Sequence, residues 1–276
     1  MHPTLFRIGG FQITTYGLML AIAFAVAASL IVRRGEREGI PGEFLQNLLV
    51  VTMVAALLGA RLLHILVNFD YFLEHPAGAL FSREGYVFFG GLLAGIAASI
   101  YWIRRQGQDV WKVADVIAPY LSLAQGIGRW GCFGFGCCYG RPSSLPWAVR
   151  FPRTIDPFSG LIDGAPAYLD HLSKGWIAPD DIYSLPVHPS QLYESALAWL
   201  NFLILLYLRK RGCQKGDLFL IYLLLYSIGR FLVEFTRGDP RGEILHLLST
   251  SQVVSMGVFA VAGAFLIHRR LSRIRA

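Results

Sequence analysis

Tyr226-Ser-Ile-Gly-Arg230-Phe-Leu-Val-Glu234-Phe-Thr-Arg237 closes one of the long apolar segments of the chain. On a helix, Tyr226, Arg230 and Glu234 fall at i, i+4 and i+8, so a phenol, a guanidinium and a carboxylate share one face. A charge near a bilayer centre costs on the order of 3 kcal/mol on insertion scales. Such a stripe on an otherwise apolar helix reads as a functional site facing the protein interior. The plainer reading is an Arg230–Glu234 ion pair that ties helices together.

The composition around this stretch is that of a membrane protein. Of 276 residues, 54% are hydrophobic and only 16% charged, and apolar runs near bilayer-spanning length recur. Seven spans can be drawn, at about 12–32, 44–67, 86–103, 113–134, 190–208, 217–236 and 249–267. The fold expected is a single all-α polytopic domain over residues 1–276. The net charge of +7 sits in short clusters between spans, which argues for topology rather than for nucleic acid as a partner. Arg33, Arg34 and Arg37 follow the first span, Arg104, Arg105 and Lys112 the third, Arg209, Lys210, Arg211 and Lys215 the fifth, and Arg269, Arg270, Arg273 and Arg275 the seventh. By the positive-inside rule these connections are cytoplasmic, with the N-terminus outside and the C-terminus inside. Met1-His2-Pro3-Thr4 lacks a basic n-region, so no removable signal peptide is read. The connection at 135–189 is the one long loop. Its aromatic residues, among them Trp147, Phe151, Tyr168 and Trp176, suit a small exterior lobe better than a solvated linker.

Arg61, Arg129 and Arg230 all lie toward the outer half of their spans, where planar five-donor forks suit a phosphate. Glycines gather near them, at Gly90-Gly91, Gly128 and Gly140, where they allow close helix approach or backbone contact with a ligand. His188-Pro189-Ser190-Gln191-Leu192-Tyr193-Glu194 opens the fifth span, with Pro189 suited to a first helical turn. It brings His188, a candidate base, to the level of the arginines. Tyr16 lies near the same face, as a site residue or as an aromatic-belt residue. The run from Gly128 to Arg141 is too glycine-rich for helix throughout and is expected to break near the outer surface. Cys132, Cys137 and Cys138 within it lack the Cys-x-x-Cys pairing of zinc sites, so neither metal nor cofactor is expected.

Together these motifs resemble the bacterial prolipoprotein diacylglyceryl transferases. The resemblance runs through Tyr16-Gly17-Leu18-Met19, Gly59-Ala60-Arg61, Gly90-Gly91, Asp115-Val116-Ile117-Ala118-Pro119, Gly128-Arg129, the His188–Glu194 motif and Arg230-Phe231-Leu232-Val233-Glu234-Phe235. It implies a seven-span enzyme of the bacterial inner membrane, moving the diacylglyceryl group of phosphatidylglycerol onto the lipobox cysteine of a preprolipoprotein and releasing glycerol 1-phosphate. By resemblance, Arg129 and Arg230 handle phosphate, Glu234 accompanies them, and Tyr16 and Tyr226 line the cavity. Arg61, Gly90, Gly91, Gly128, Gly140, Gln191, Tyr193 and Glu194 are carried as substrate-binding candidates, with the three cysteines as further site residues. Two departures stand out: Phe89 replaces the usual histidine before Gly90-Gly91, and Cys132 and Cys137 stand where Asn and Glu are usual. The base is then sought among His188, Tyr16, Glu234 and His64, or an arginine-rich surrounding lowers the thiol pKa unaided. Two other functions fit less of the chain: a related phospholipid-dependent transferase with another acceptor, and a non-catalytic lipid-binding or transport protein.

Overall fold

The computed structural model describes residues 4–8, 11–76, 78, 86–155, 164–239, 243–244 and 248–274. In chain order it contains strands β1 (Thr4–Ile8) and β2 (Phe11–Thr14), then helices α1 (Thr15–Arg37), α2 (Gly42–Val67), α3 (Phe69–Glu74), α4 (Phe88–Arg105), α5 (Val110–Phe135), α6 (Pro166–Ser173), α7 (Ser190–Lys210) and α8 (Asp217–Glu234). Strands β3 (Glu243–Ile244) and β4 (Leu248–Ser249) and helix α9 (Thr250–Ile274) complete it. The helices α1, α2, α4, α5, α7, α8 and α9 fall on the seven predicted spans. Thr15–Arg37, Gly42–Val67, Ser190–Lys210 and Thr250–Ser272 are long and apolar enough to cross a membrane. Their outward side chains, such as Leu58, Leu66, Leu203 and Val261, are large and apolar, as suits a surface solvated by lipid rather than water.

Two antiparallel hairpins modify the all-α expectation. β1 pairs with β2 through Arg7↔Gln12 and Ile8↔Phe11, and β3 with β4 through Glu243↔Ser249 and Ile244↔Leu248. In the sequence Arg7 and Gln12 alternate with Phe6, Ile8, Phe11 and Ile13 about Gly9-Gly10, a recognised hairpin signal.

The chain divides into two compact units, Ala28–Val116 and the remainder. In Ala28–Val116, α2 and α4 approach through small residues: a Cβ on Gly90 would collide with the carbonyl oxygen of Gly59, and one on Gly91 would lie 2.9 Å from that of Ala56. Thr52 and Ser99 hydroxyls meet at 2.7 Å further along the same crossing. Gly90 and Gly91 thus serve helix packing of the small-residue kind. Arg61 lies with its guanidinium 5.4 Å from the Tyr86 ring centroid, and Phe89 packs edge-on against Phe88.

In the other unit two serine hydroxyls tie α5 to α7. Ser122 Oγ donates to the Ala198 carbonyl and Ser195 Oγ to that of Gly126, both at 2.8 Å, which sets the register of α5 on α7. Ala118, Leu205, Leu218 and Tyr222 form the core beside this seam. At the other end of α5, Gly131 faces the backbone of Tyr16 and Gly134 faces Thr15, so the start of α1 rests on two absent side chains. The helix ends at Phe135 and the chain turns through Gly136 (φ 82°) and Cys138 (φ 59°), where the glycine-rich run was expected to break.

The described residues that follow have a core of their own. Tyr139, Phe151, Ala165, Ala167 and Val187 make a buried cluster, and Val149 and Val187 exchange backbone hydrogen bonds at 3.0 and 2.9 Å. His171 of α6 is 1% exposed, between the rings of Tyr139 and Trp176. The Leu185 amide donates to its Nδ1 at 3.2 Å, which selects the neutral ring. Burial lowers the pKa of His171 below its ordinary value, and Lys174 acts in the same direction against the opposing charge of Asp170. Folding therefore favours the unprotonated form: this stability is complete above the ordinary histidine pKa of about 6.5 and is lost as pH falls below it. Hydrogen-exchange protection of the Leu185 amide, corrected for intrinsic rate, is expected to drop on acidification through that range. In His171→Phe the drop should disappear.

Candidate active site

The site is built on Glu194, one turn into α7. The preceding turn is anchored at nearly every residue. His188 exchanges backbone hydrogen bonds with Gly140 and Arg141, and its Nδ1 lies 3.4 Å from Tyr193 Oη. Tyr193 Oη accepts from Trp147 Nε1 at 2.7 Å. Ser190 Oγ meets Thr236 at the end of α8, and Gln191 Nε2 donates to the Cys137 carbonyl at 2.7 Å. A Cβ at Gly140 would collide with the His188 carbonyl, so this glycine permits the crossing of two backbones. Each polar side chain of the motif has a structural partner, and Glu194 is thereby delivered to a fixed point.

Three guanidiniums converge on that carboxylate. Arg237 Nη1 donates to Glu194 Oε1 at 2.7 Å and Arg230 Nη1 to the same oxygen at 3.0 Å, while Arg129 Nε pairs with Oε2. Arg230 Nη2 also pairs with Glu234 Oε2 at 2.6 Å and donates to Ser251 Oγ at 2.8 Å. Arg237 is clamped bidentately by Asp239, both contacts at 2.9 Å. Arg237 and Arg230 side chains are 2% and 9% exposed, whereas Arg129 is 27% exposed. Three guanidiniums stand against the carboxylates of Glu194, Glu234 and Asp239, so formal charge balances, and what the cluster offers is a set of forks oriented before any ligand arrives. The exposed part of Arg129 is its accessible face.

The expected site residues divide accordingly. Arg129, Arg230, Glu234 and Glu194 come together as one cluster. Tyr226 lies on the stripe but stacks on Tyr222, with ring centroids 6.1 Å apart. Tyr16 is half-exposed over Gly131, two residues along α5 from Arg129. A Cβ at Gly128 would meet nothing within 4 Å, so this glycine is not required by close packing. Arg61, Gly90, Gly91 and His64 belong to the Ala28–Val116 unit. Arg237, Asp239 and Ser251 were not anticipated. The nearest signal was Arg237 three residues after Glu234, with Asp239 two further on.

Beside the arginines, the turn at Gly136 brings the Sγ atoms of Cys132, Cys137 and Cys138 within 4.8 Å of one another. None is in a disulfide. The Arg237 guanidinium is among the charged groups near Cys138.

Residues 3–268 match the family model of the prolipoprotein diacylglyceryl transferases. The phosphatidylglycerol–prolipoprotein diacylglyceryl transferase of Clostridium tetani is 34% identical over 256 residues, 93% of either chain. A Clostridium perfringens protein named as transferase 2 of this kind is 31% identical, covering 97% of this chain and 94% of its own. A Bacillus cereus transferase is 31% identical over 96% and 90%. With a match from the first hairpin to the last helix, the chain belongs to the prolipoprotein diacylglyceryl transferase family.

Proposed function

We propose that the chain moves the diacylglyceryl group of phosphatidylglycerol onto the lipobox cysteine thiol of a preprolipoprotein, at the Glu194-centred cluster. The observation that carries this assignment is the convergence of Arg129, Arg230 and Arg237 on one buried carboxylate, with Arg129 alone keeping an accessible face. In the reaction the acceptor sulfur attacks the glyceryl carbon, an S–C bond forms, and the C–O bond to phosphate breaks. The departing oxygen of glycerol 1-phosphate takes the electron pair. Charge grows on that phosphate in the transition state, and a guanidinium fixed in a low-dielectric site stabilises it without reorganising. Arg129 provides the contact in this reading, and Arg230 adds positive charge behind it. Glu234 and Ser251 hold Arg230 in place. The sulfur reacts as thiolate, and the same arginines favour that anion.

In this reading all seven long helices cross the bacterial inner membrane, with the basic connections cytoplasmic and the 135–189 lobe outside. The alternation of basic and non-basic connections supports it.

Purified protein incubated with isotopically labelled phosphatidylglycerol and a lipobox peptide is expected to yield the diacylglyceryl thioether, seen by mass spectrometry. Turnover of phosphatidylglycerol with the peptide unmodified would point to another acceptor. Lipid binding with no product would contradict the transferase reading.

A further inference from the structure

We propose that Cys132, Cys137 and Cys138 form a three-thiolate site for a divalent metal ion of the zinc class, and that its remaining position takes the acceptor thiol. The proposal rests on the transferase reading above and names how the thiol of that reaction is activated. Its first support is convergence. Three sulfurs within 4.8 Å of one another are near the spacing of about 3.8 Å that tetrahedral zinc imposes with Zn–S bonds of about 2.3 Å. A contraction of at most about 1 Å completes the cage.

The backbone supplies the second support. Cys138, at φ 59°, is the sole non-glycine residue with positive φ among the described residues. A side chain is held there at a conformational cost that commonly marks functional sites. The effect of the turn is to fold Cys137 and Cys138 back over Cys132. That geometry could not be read from a spacing that lacks Cys-x-x-Cys. The turn is also braced: the Gly136 and Cys137 amides donate to the Cys132 carbonyl at 2.8 and 3.2 Å, and Gln191, fully buried, holds the Cys137 carbonyl. Partners of this outer kind orient metal ligands.

Charge is the third. A divalent ion with three thiolates carries one net negative charge, and the Arg237 guanidinium lies near enough to Cys138 to favour an anion there. Three protein ligands leave a tetrahedral ion one open position, the arrangement of catalytic rather than structural zinc. A coordinated thiol is deprotonated outright. Binding of the lipobox thiol there releases its proton to solvent. The bound sulfur then attacks the glyceryl carbon, forming S–C as C–O breaks, and glycerol 1-phosphate leaves with the electron pair. The thioether is a poor ligand and departs, which reopens the position.

The test uses the full chain in detergent micelles, reduced, with Co²⁺ as the spectroscopic probe. One equivalent per chain is expected, with sulfur-to-cobalt charge-transfer absorption, displaced by Zn²⁺. A lipobox peptide should raise that absorption by about one third, three sulfurs becoming four, and a peptide with serine for cysteine should not. Cys213→Ser should behave as wild type, whereas the single variants Cys132→Ser and Cys138→Ser and the triple variant with Cys137→Ser should lose the band. Failure of the reduced wild-type chain to take up stoichiometric Co²⁺, or equal uptake by the triple variant, would overturn the proposal. So would a thiol titration showing that two of the three cysteines form a disulfide in the active protein. Uptake is read without phosphatidylglycerol, so the two readings fail separately. Metal bound without transfer counts against the transferase assignment, and wild-type transfer by chelator-treated, metal-free protein counts against the metal.

Discussion

Alanine at Glu194 is expected to destabilise the protein by about 3–5 kcal/mol, the usual cost of removing one partner from a buried ion pair, and to abolish transfer. The magnitude follows from what remains. Arg237 and Arg230 are 2% and 9% exposed, so neither guanidinium can be rehydrated by a small side-chain movement. Asp239 still compensates the first and Glu234 the second, but Arg129 loses its carboxylate, and the three forks lose their common anchor. The cation cluster then repels itself in a low-dielectric setting, where such terms are least screened. Unfolding in detergent should show the loss directly. Glu194→Gln, which keeps one acceptor oxygen and the side-chain volume, should retain more stability than alanine but not the organised cluster. A wild-type unfolding midpoint in Glu194→Ala would mean that the arginines are held by the helices rather than by the carboxylate.

Arg129→Ala is expected to have the opposite profile: little loss of stability and a fall in transfer of about 10²–10³-fold, the range for removing one preorganised donor from an oxyanion site. At 27% exposure Arg129 is the most solvated of the three guanidiniums, so its removal leaves less uncompensated buried charge than removal of Glu194 does. Glu194 keeps Arg230 and Arg237 when Arg129 is gone. What is lost is the one guanidinium of the three that is partly exposed. Arg129→Lys should recover only part of the rate, since an ammonium cannot reproduce a bidentate planar fork. The pairing of normal melting with defective transfer separates this residue from Glu194, whose loss should affect both.

Helices were the most legible feature of the sequence, because long apolar runs between basic clusters admit few alternatives. The seven runs coincide with seven helices, although among the described residues four are both long and apolar enough to cross a membrane. Family membership was legible for a different reason: the His188–Glu194 motif and the Arg230–Phe235 motif are specific combinations in a specific order. The partnership inside the site was far less visible. The i, i+4 rule correctly joined Arg230 to Glu234, yet Glu194 meets Arg230 and Arg237 across separations of 36 and 43 residues. No periodicity encodes such contacts, which arise when α5, α7 and α8 pack. Tyr226, on the same face, has its ring 6.1 Å from that of Tyr222, a neighbour one helical turn away that the spacing also allows. The cysteines were judged by linear spacing, and a turn with two positive φ values at Gly136 and Cys138 made that spacing uninformative. The first hairpin was readable from Gly9-Gly10 between alternating runs, but the adjoining apolar span dominated the reading.

The central claim is that a guanidinium held by Glu194 stabilises charge developing on the phosphate leaving group. The most direct measurement is the rate of transfer from phosphatidylglycerol to a lipobox peptide in Arg129→Ala, followed as lipid concentration is raised to saturation. Differential stabilisation of the transition state predicts that the deficit persists at saturation, with kcat lowered at least about a hundredfold. A rate that returned to the wild-type value at saturating lipid would contradict the claim, because Arg129 would then serve only to bind the substrate.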